Sequence, residues 1–112
     1  MAVDPVTICI TYDLADGVSL DEFRRWSSEI DQPAARVLPG ITGYEVFEVE
    51  RVEEGGDMPD IIDVVQAESL DAWLSVDRDE SMTAIVEEFF GRICKPGTAR
   101  TYYTKRIPPR ED

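Results

Sequence analysis

Residues 41–68 read ITGYEVFEVERVEEGGDMPDIIDVVQAE and contain two runs of β-branched and aromatic side chains around an acidic turn with glycine. Runs of this composition favour strands, and Gly, Asp and Pro between them favour a reversal of the chain. We therefore predict two antiparallel strands, over residues 41–51 and 61–68, joined by a turn over residues 53–60.

Both predicted strands are apolar on two faces. Successive residues of a strand point to opposite sides of the sheet, and apolar residues occupy both sides here: Tyr44, Val46, Phe47, Val49, Ile61, Ile62, Val64 and Val65. If helices cover only one face, the other would expose a large apolar patch, which monomers rarely do. The pattern predicts a homodimer that packs through the open sheet face. The alternative is a monomer with scattered apolar side chains on its surface.

The flanking sequence completes a familiar order of elements. VTICITY at residues 6–12 predicts a first strand, and TARTYYTKRI at residues 98–107 predicts a last one. A helix starting at Ser19 and a helix over residues 79–93 lie between them. The order βαββαβ predicts an α+β, ferredoxin-like sandwich, a four-stranded antiparallel sheet with helices on one face. Residues 1–112 then form a single domain, with a core of about 5–107 and a polar tail at 108–112.

Composition excludes several classes of function. The chain has 24 acidic and 11 basic residues and a net charge of -13, which disfavours nucleic acid and anionic membrane surfaces as partners. It has no histidine, which excludes imidazole as base or ligand, and its two cysteines are too few for a zinc site. We expect no metal and no cofactor. With no long apolar span and no basic segment before the first apolar run, we expect a cytoplasmic protein.

Two acidic residues are candidates for chemistry. Asp63 interrupts the apolar run IIDVV, where a buried carboxylate with a shifted pKa is suited to general-base catalysis. Alternatively, the third strand begins later, or Asp63 forms a structural pair with a basic residue such as Arg100. Pro33 predicts that the first helix ends near Asp31. Asp31 then either caps a second short helix or serves as a site carboxylate.

Aromatic residues and one arginine are the remaining candidates. Six aromatic side chains suit the wall of a pocket for a flat ligand that phenol hydroxyls orient: Tyr12, Tyr44, Tyr102, Tyr103, Trp26 and Trp73. Of these, Tyr12 is a second catalytic candidate beside Asp63, and Trp26, Tyr44 and Tyr103 are the ligand-binding candidates. Packing of the core and dimer explains the same residues. Arg36 either binds an anionic or carbonyl group of a ligand or is solvated.

Two blocks of sequence resemble a known family. ITYDLADGVSLDEFRRW at residues 10–26 and DQPAARVLPGITGYEVFEVE at residues 31–50 are similar to the REDY-like HapK family. The resemblance implies a dimeric α+β barrel with a ligand cavity between sheet and helices, and a role near prodiginine biosynthesis in secondary metabolism. Relatives in the EthD-like branch often have a histidine where this chain has Asp31, so histidine-dependent chemistry is not expected.

These observations lead to two functional hypotheses. The first is a small-molecule-binding barrel that acts as a cofactor-independent enzyme on an aromatic or pyrrole-like metabolite. The second is a non-catalytic accessory or carrier protein that binds a metabolite or a partner enzyme. A cavity-facing Asp63 or tyrosine with a shifted pKa favours the first, and a purely apolar lining favours the second.

Overall fold

A computed structural model describes residues 5–50, 52–56 and 58–110 of the chain, without the side chains of residues 54 and 77. The strands are β1 (Val6–Tyr12), β2 (Ile41–Glu48), β3 (Ile61–Ala67) and β4 (Arg100–Thr104). The α-helices are α1 (Leu20–Trp26), α2 (Gln32–Arg36), α3 (Leu70–Leu74) and α4 (Glu80–Glu88). The sheet order is β2-β3-β1-β4, with each strand antiparallel to its neighbours. The predicted ferredoxin-like α+β fold is confirmed.

The elements end slightly earlier than the sequence predicts. Strand β2 stops at Glu48 rather than at residue 51, and position 51 lies outside the described residues, as do residues 1–4. Strand β4 covers only the middle of the predicted run 98–107, and residues 105–110 are exposed without regular structure. The last two residues of the predicted tail, 111 and 112, are also outside the described part.

The two faces of the sheet differ in what covers them. Ile8, Ile61 and Val65 are fully buried beneath the helices. The opposite face, here called the open face, carries the side chains of Cys9, Phe47, Ile62, Val64 and Tyr102. Phe47 and Tyr102 each expose nearly half of their surface, 47% and 49%. Apolar side chains therefore lie on both sides of the sheet, as the alternation predicted, although Glu45, Gln66 and Arg100 also lie on the open face.

The first helical segment does not break at Asp31. Ser19 caps α1 by accepting a hydrogen bond from the Glu22 amide, as predicted. A π-helical turn over Ser27–Asp31 then connects α1 directly to α2, and the Gln32 amide donates to the Ser27 carbonyl five residues earlier. Asp31 has helical backbone angles and makes no capping bond, so the cap interpretation is wrong. Pro33 is tolerated because it lies in the first turn of α2.

Gly40, in the turn before β2, provides a test of this packing. Its φ of +82° is left-handed, and a Cβ there would lie 2.6 Å from Cβ of Ala72 in α3. We expect Gly40→Ala to lower the free energy of unfolding by about 2–4 kcal/mol, the sum of backbone strain and overpacking. Gly17→Ala is the matched control, because Gly17 has φ +88° but no atom within 4 Å of the new Cβ.

Urea denaturation of both glycine variants separates the two costs. We expect Gly17→Ala to lose only the strain, about 1 kcal/mol. Equal losses in the two variants would show that α3 does not pack on this turn as described.

Candidate functional site

A cavity of about 230 Å³ lies between the sheet and the helices. Its walls are mostly apolar, and they include Ile10, Leu38, Val65, Met82, Val86 and Phe89. The exposed side chains of Leu74, Phe90 and Tyr103 form part of its rim beside the edge strand β4. Three buried polar side chains interrupt the apolar wall, Asp31, Tyr44 and Asp63, and the exposed Thr101 and Tyr103 add hydroxyl groups on the β4 side. The cavity therefore combines mostly apolar walls with one polar patch, which is the usual composition of a small-molecule site.

Different elements bring these polar groups together. Asp31 lies at the end of the π-helical turn after α1, Tyr44 lies on β2 and Asp63 on β3. Residue Ile10 of β1 pairs with Asp63, and the alternation of the strands places Tyr12, Tyr44 and Asp63 on the helix side of the sheet. The other π-helical turn, Phe89–Ile93, contributes Phe89 and Phe90 to the cavity. Both irregular turns thus supply lining residues, as π turns often do at functional sites.

The polar groups form one hydrogen-bonded chain. The Tyr12 hydroxyl donates to Asp63 Oδ1 at 3.0 Å. The Tyr44 hydroxyl lies 2.9 Å from Asp31 Oδ2 and 3.3 Å from Asp63 Oδ2. Tyr44 has one proton for two carboxylate oxygens, so the ionised carboxylates share it, and a proton on one carboxyl group would complete the third bond. With Asp63 protonated on Oδ2, Asp63 donates to the Tyr44 oxygen, and Tyr44 donates to Asp31.

Burial shifts the acidity of the whole chain. Loss of hydration, and then the nearby charge of Asp31, raise the pKa of Asp63 to about 7, although hydrogen bonds from Tyr12 and Tyr44 oppose the rise. Burial also raises the pKa of Asp31 to about 6, against the hydrogen bond from Tyr44. Burial and the adjacent carboxylates raise the pKa values of Tyr12 and Tyr44, which keeps both phenols protonated. The cluster therefore holds an exchangeable proton near neutral pH, centred on Asp63.

The structure brings together five of the seven predicted site residues. Asp31, Tyr44, Asp63 and Tyr103 line the cavity. Tyr12 is one step behind the wall, where it contacts Asp63 and packs edge-on against Phe89 at 4.8 Å between ring centroids. Tyr12 therefore positions the carboxyl group rather than facing a ligand directly.

Trp26 and Arg36 lie outside the cavity wall. The Trp26 ring stacks behind Phe89, with centroids 6.2 Å apart, and its indole nitrogen donates to Glu88 Oε1 at 2.6 Å. Helix α1 packs over the part of the core that contains Phe23. The buried indole of Trp26 lies in that part of the core and therefore does not line the cavity. Arg36 donates to the main-chain carbonyl of Tyr44 at 3.1 Å and fastens α2 to β2.

Sequence reasoning missed the wall that α4 contributes. The apolar steps along residues 82–93 identified a core-facing helix, and Met82, Ile85, Val86 and Phe89 indeed point inward. Periodicity does not distinguish a side chain packed against the sheet from one that faces a cavity. Trp73, one of the aromatic residues proposed for the pocket wall, does line the cavity.

Two features are absent from the described part of the chain. No group of three or more His, Cys, Asp or Glu side chains is arranged there to hold a metal ion. None of its helices has the length and apolar character needed to cross a membrane.

Known structures share this fold. HapK from Hahella chejuensis is similar with a TM-score of 0.74 and 15% identity, over 96% of this chain and 97% of HapK. An ethyl tert-butyl ether D (EthD) family protein from Bacillus halodurans has a TM-score of 0.71 and 11% identity, over 92% and 99%. A dimeric ferredoxin-like protein from Thermobifida fusca has a TM-score of 0.67 and 11% identity, over 91% of each chain. At these identities the likeness shows the fold.

Sequence comparison gives the family. No curated protein matches the chain. The model of the family described as REDY-like protein HapK matches residues 6–107, which include the strands and helices of the described residues and the cluster of Tyr12, Asp31, Tyr44 and Asp63. The chain belongs to the REDY-like HapK family.

Proposed function

We propose that this protein is a small-molecule-binding dimeric α+β barrel that acts as a cofactor-independent acid–base enzyme on an aromatic or pyrrole-like secondary metabolite. One observation carries the proposal: Asp63 faces an apolar cavity, and its pKa of about 7 suits both the uptake and the release of a proton. The choice of metabolite is supported by the role near prodiginine biosynthesis that the resemblance to the family implies.

The cavity restricts the size of the ligand. An apolar cavity of about 150 Å³ accommodates benzene, so 230 Å³ suits one substituted ring or two small fused rings. A longer ligand extends past the rim at Tyr103 and Phe90. The apolar wall supplies most of the binding energy through burial, and it excludes water from the reacting atoms.

Each polar residue then has a distinct role. Asp63 exchanges a proton with a ligand atom in the cavity. Tyr12 and Tyr44 stabilise the ionised Asp63 by hydrogen bonding, and Tyr44 links it to Asp31. Proton transfer by a positioned carboxyl group typically contributes about 10²–10⁴-fold to a rate. The reaction proposed requires no metal or cofactor, because the chain's own groups hold and move the proton.

A homodimer through the open face is part of the proposal. Phe47 and Tyr102 are large apolar side chains that water contacts in the single chain. The Thermobifida fusca protein of the same fold is described as dimeric. A second copy would bury the open face of each protomer and leave the cavities on the outer, helix-covered sides.

We also propose a cytoplasmic location. Cys9 and Cys94 are free thiols on opposite sides of the sheet, and free thiols are typical of a reducing compartment.

The proposed enzyme is tested by Asp63→Asn. Native mass spectrometry of freshly purified protein first identifies any retained molecule and the number of subunits, and that molecule becomes the substrate to be assayed. We expect Asp63→Asn to reduce turnover by about 10²–10⁴-fold with little loss of affinity, because the amide keeps the shape but does not exchange a proton.

Asp16→Asn is the matched control, since Asp16 lies in an exposed turn and is not among the residues that line the cavity. Unchanged turnover in Asp63→Asn would refute the catalytic role. The mostly apolar wall favours a carrier as the second candidate, and a carrier would bind the retained molecule tightly and return it with its mass unchanged.

A further inference from the structure

The cavity has acceptors for a ligand and no charged donor. Within the described residues, its lining contains Asp31 and Asp63 but neither lysine nor arginine. Buried carboxylates are normally paired with a cation, because the loss of hydration is costly. In the described residues, the hydrogen-bond partners of these two carboxylates are the neutral phenols of Tyr12 and Tyr44. The charge of this wall is therefore balanced only by a proton or by a ligand.

One carboxylate oxygen of the cavity lining has no hydrogen-bond partner in the described residues. Asp31 is 93% buried, since 7% of its surface is exposed, and its Oδ2 accepts from Tyr44. Its other oxygen, Oδ1, has no hydrogen-bond partner in the described part of the chain. No fully buried side-chain oxygen or nitrogen of the described residues lacks a partner, so Oδ1 retains some exposed surface, and Asp31 is a lining residue of the cavity. A ligand that donates a hydrogen bond to it would replace the missing partner.

We propose that the cavity selects a compact aromatic ligand with a cationic nitrogen group, which the carboxylates of Asp31 and Asp63 bind. The inference rests on the proposed ligand-binding function and specifies its ligand class. Charge-assisted hydrogen bonds from N–H groups to carboxylates are about twice as strong as neutral ones. The net charge of -13 attracts such cations to the protein as a whole.

Three isosteric probes test the proposal: benzamidine is a cation, benzamide is neutral and benzoate is an anion. Each consists of one ring with one planar group and fits a cavity of 230 Å³. Isothermal titration calorimetry at pH 7.5 and physiological salt gives their affinities. We expect benzamidine to bind at least tenfold more tightly than benzamide, and benzoate to bind most weakly. Benzamide or benzoate binding as tightly as benzamidine would overturn the inference.

Two variants show whether the preference arises in the cavity. We expect Asp31→Asn to lower the ratio of benzamidine affinity to benzamide affinity at least tenfold. The surface control Asp16→Asn should keep the wild-type ratio. Val86→Trp fills the cavity and is expected to abolish binding of all three probes. Benzamidine affinity that survives both Asp31→Asn and Val86→Trp would place the cation on the acidic surface and overturn the inference.

Failure of this inference is distinguishable from failure of the proposed function. If benzamidine does not bind, or binds no better than benzamide, the ligand class is wrong, and the turnover of Asp63→Asn still decides the catalytic role. If the probes behave as expected but Asp63→Asn turns over normally, the cavity binds cations and the acid–base enzyme is wrong.

Discussion

Asp63→Asn is expected to make the protein more stable at pH 7.5, although it removes the proposed catalytic group. The folded chain holds Asp63 with a pKa of about 7, whereas the ordinary value is 3.8. At pH 7.5 folding therefore buries a charge that the unfolded chain keeps in water. Asparagine avoids this cost and reproduces the bonds of the protonated acid, because its oxygen accepts from Tyr12 and its NH₂ donates to the Tyr44 oxygen.

The sign of the pH dependence follows from the same shift. Between pH 3.8 and about 7 the folded state binds a proton that the unfolded state has released. The free energy of unfolding therefore falls as the pH rises through this window, which is opposite to the behaviour of a salt-bridged carboxylate. A change in pKa from 3.8 to about 7 corresponds to about 4 kcal/mol. Asp31, with a pKa raised to about 6, acts in the same direction.

The absence of histidine makes this slope measurable. Ordinary carboxylates have titrated by about pH 5, and no imidazole titrates above that point in this chain. Urea denaturation at pH 5.0 and 7.5 then reports mainly on the Asp31–Asp63 pair, provided that the protein concentration is fixed, because a dimer's stability depends on it. We expect the wild type to lose stability at the higher pH, and Asp63→Asn to lose much less.

The Asp16→Asn variant is the control for removal of one negative charge from this acidic chain. It should follow the wild type at both pH values. If Asp63→Asn is less stable than the wild type at pH 7.5, Asp63 is an ionised structural residue and the shared-proton arrangement is wrong. If Asp63→Asn instead gains stability and loses turnover, the wild type sacrifices stability for activity at this position, as catalytic sites often do.

The fold was predictable because apolar residues recur with a period of two along strands and of 3.6 along helices, and both periods are visible in the sequence. Alternation along residues 61–68 places Asp63 on the same side as Ile61 and Val65, so its burial also followed from the pattern. The hydrogen-bond partners of Asp63 did not follow from the pattern. Arg100 was a candidate partner, but it pairs with Thr11 and lies on the open side of the sheet, away from Asp63. Tyr12 and Tyr44 face Asp63 instead, and that depends on strand register.

The position of Asp31 shows a second limit of sequence reasoning. Pro33 in a helical pattern indicated an interruption, whereas the chain continues through a π-helical turn that ends at Asp31. A turn of this kind has no clear sequence signature, and its effect is to place Asp31 in the cavity wall. For Trp26, helical periodicity correctly predicted burial, but it does not tell which part of the core a buried ring contacts.

Val64→Arg is expected to convert the proposed homodimer to monomer. Val64 lies on the central strand β3, between Cys9 on β1 and Glu45 on β2, in the middle of the open face. The dimer's two-fold symmetry would bury two new guanidinium groups, one from each protomer. An unpaired buried ion costs several kcal/mol, so the dissociation constant should rise by at least about a thousandfold.

Sedimentation equilibrium measures the dimer directly and allows a control for the added charge. Val37→Arg is that control, because Val37 is 80% exposed at the end of α2 and adds the same charge away from the open face. Circular dichroism should show that both variants keep the fold, since Val64 points away from the helix-covered core. A wild type that sediments as a monomer, or a Val64→Arg protein that stays dimeric, would contradict sheet-to-sheet pairing. Because the cavity lies on the other side of the sheet, a monomeric Val64→Arg protein should still bind benzamidine.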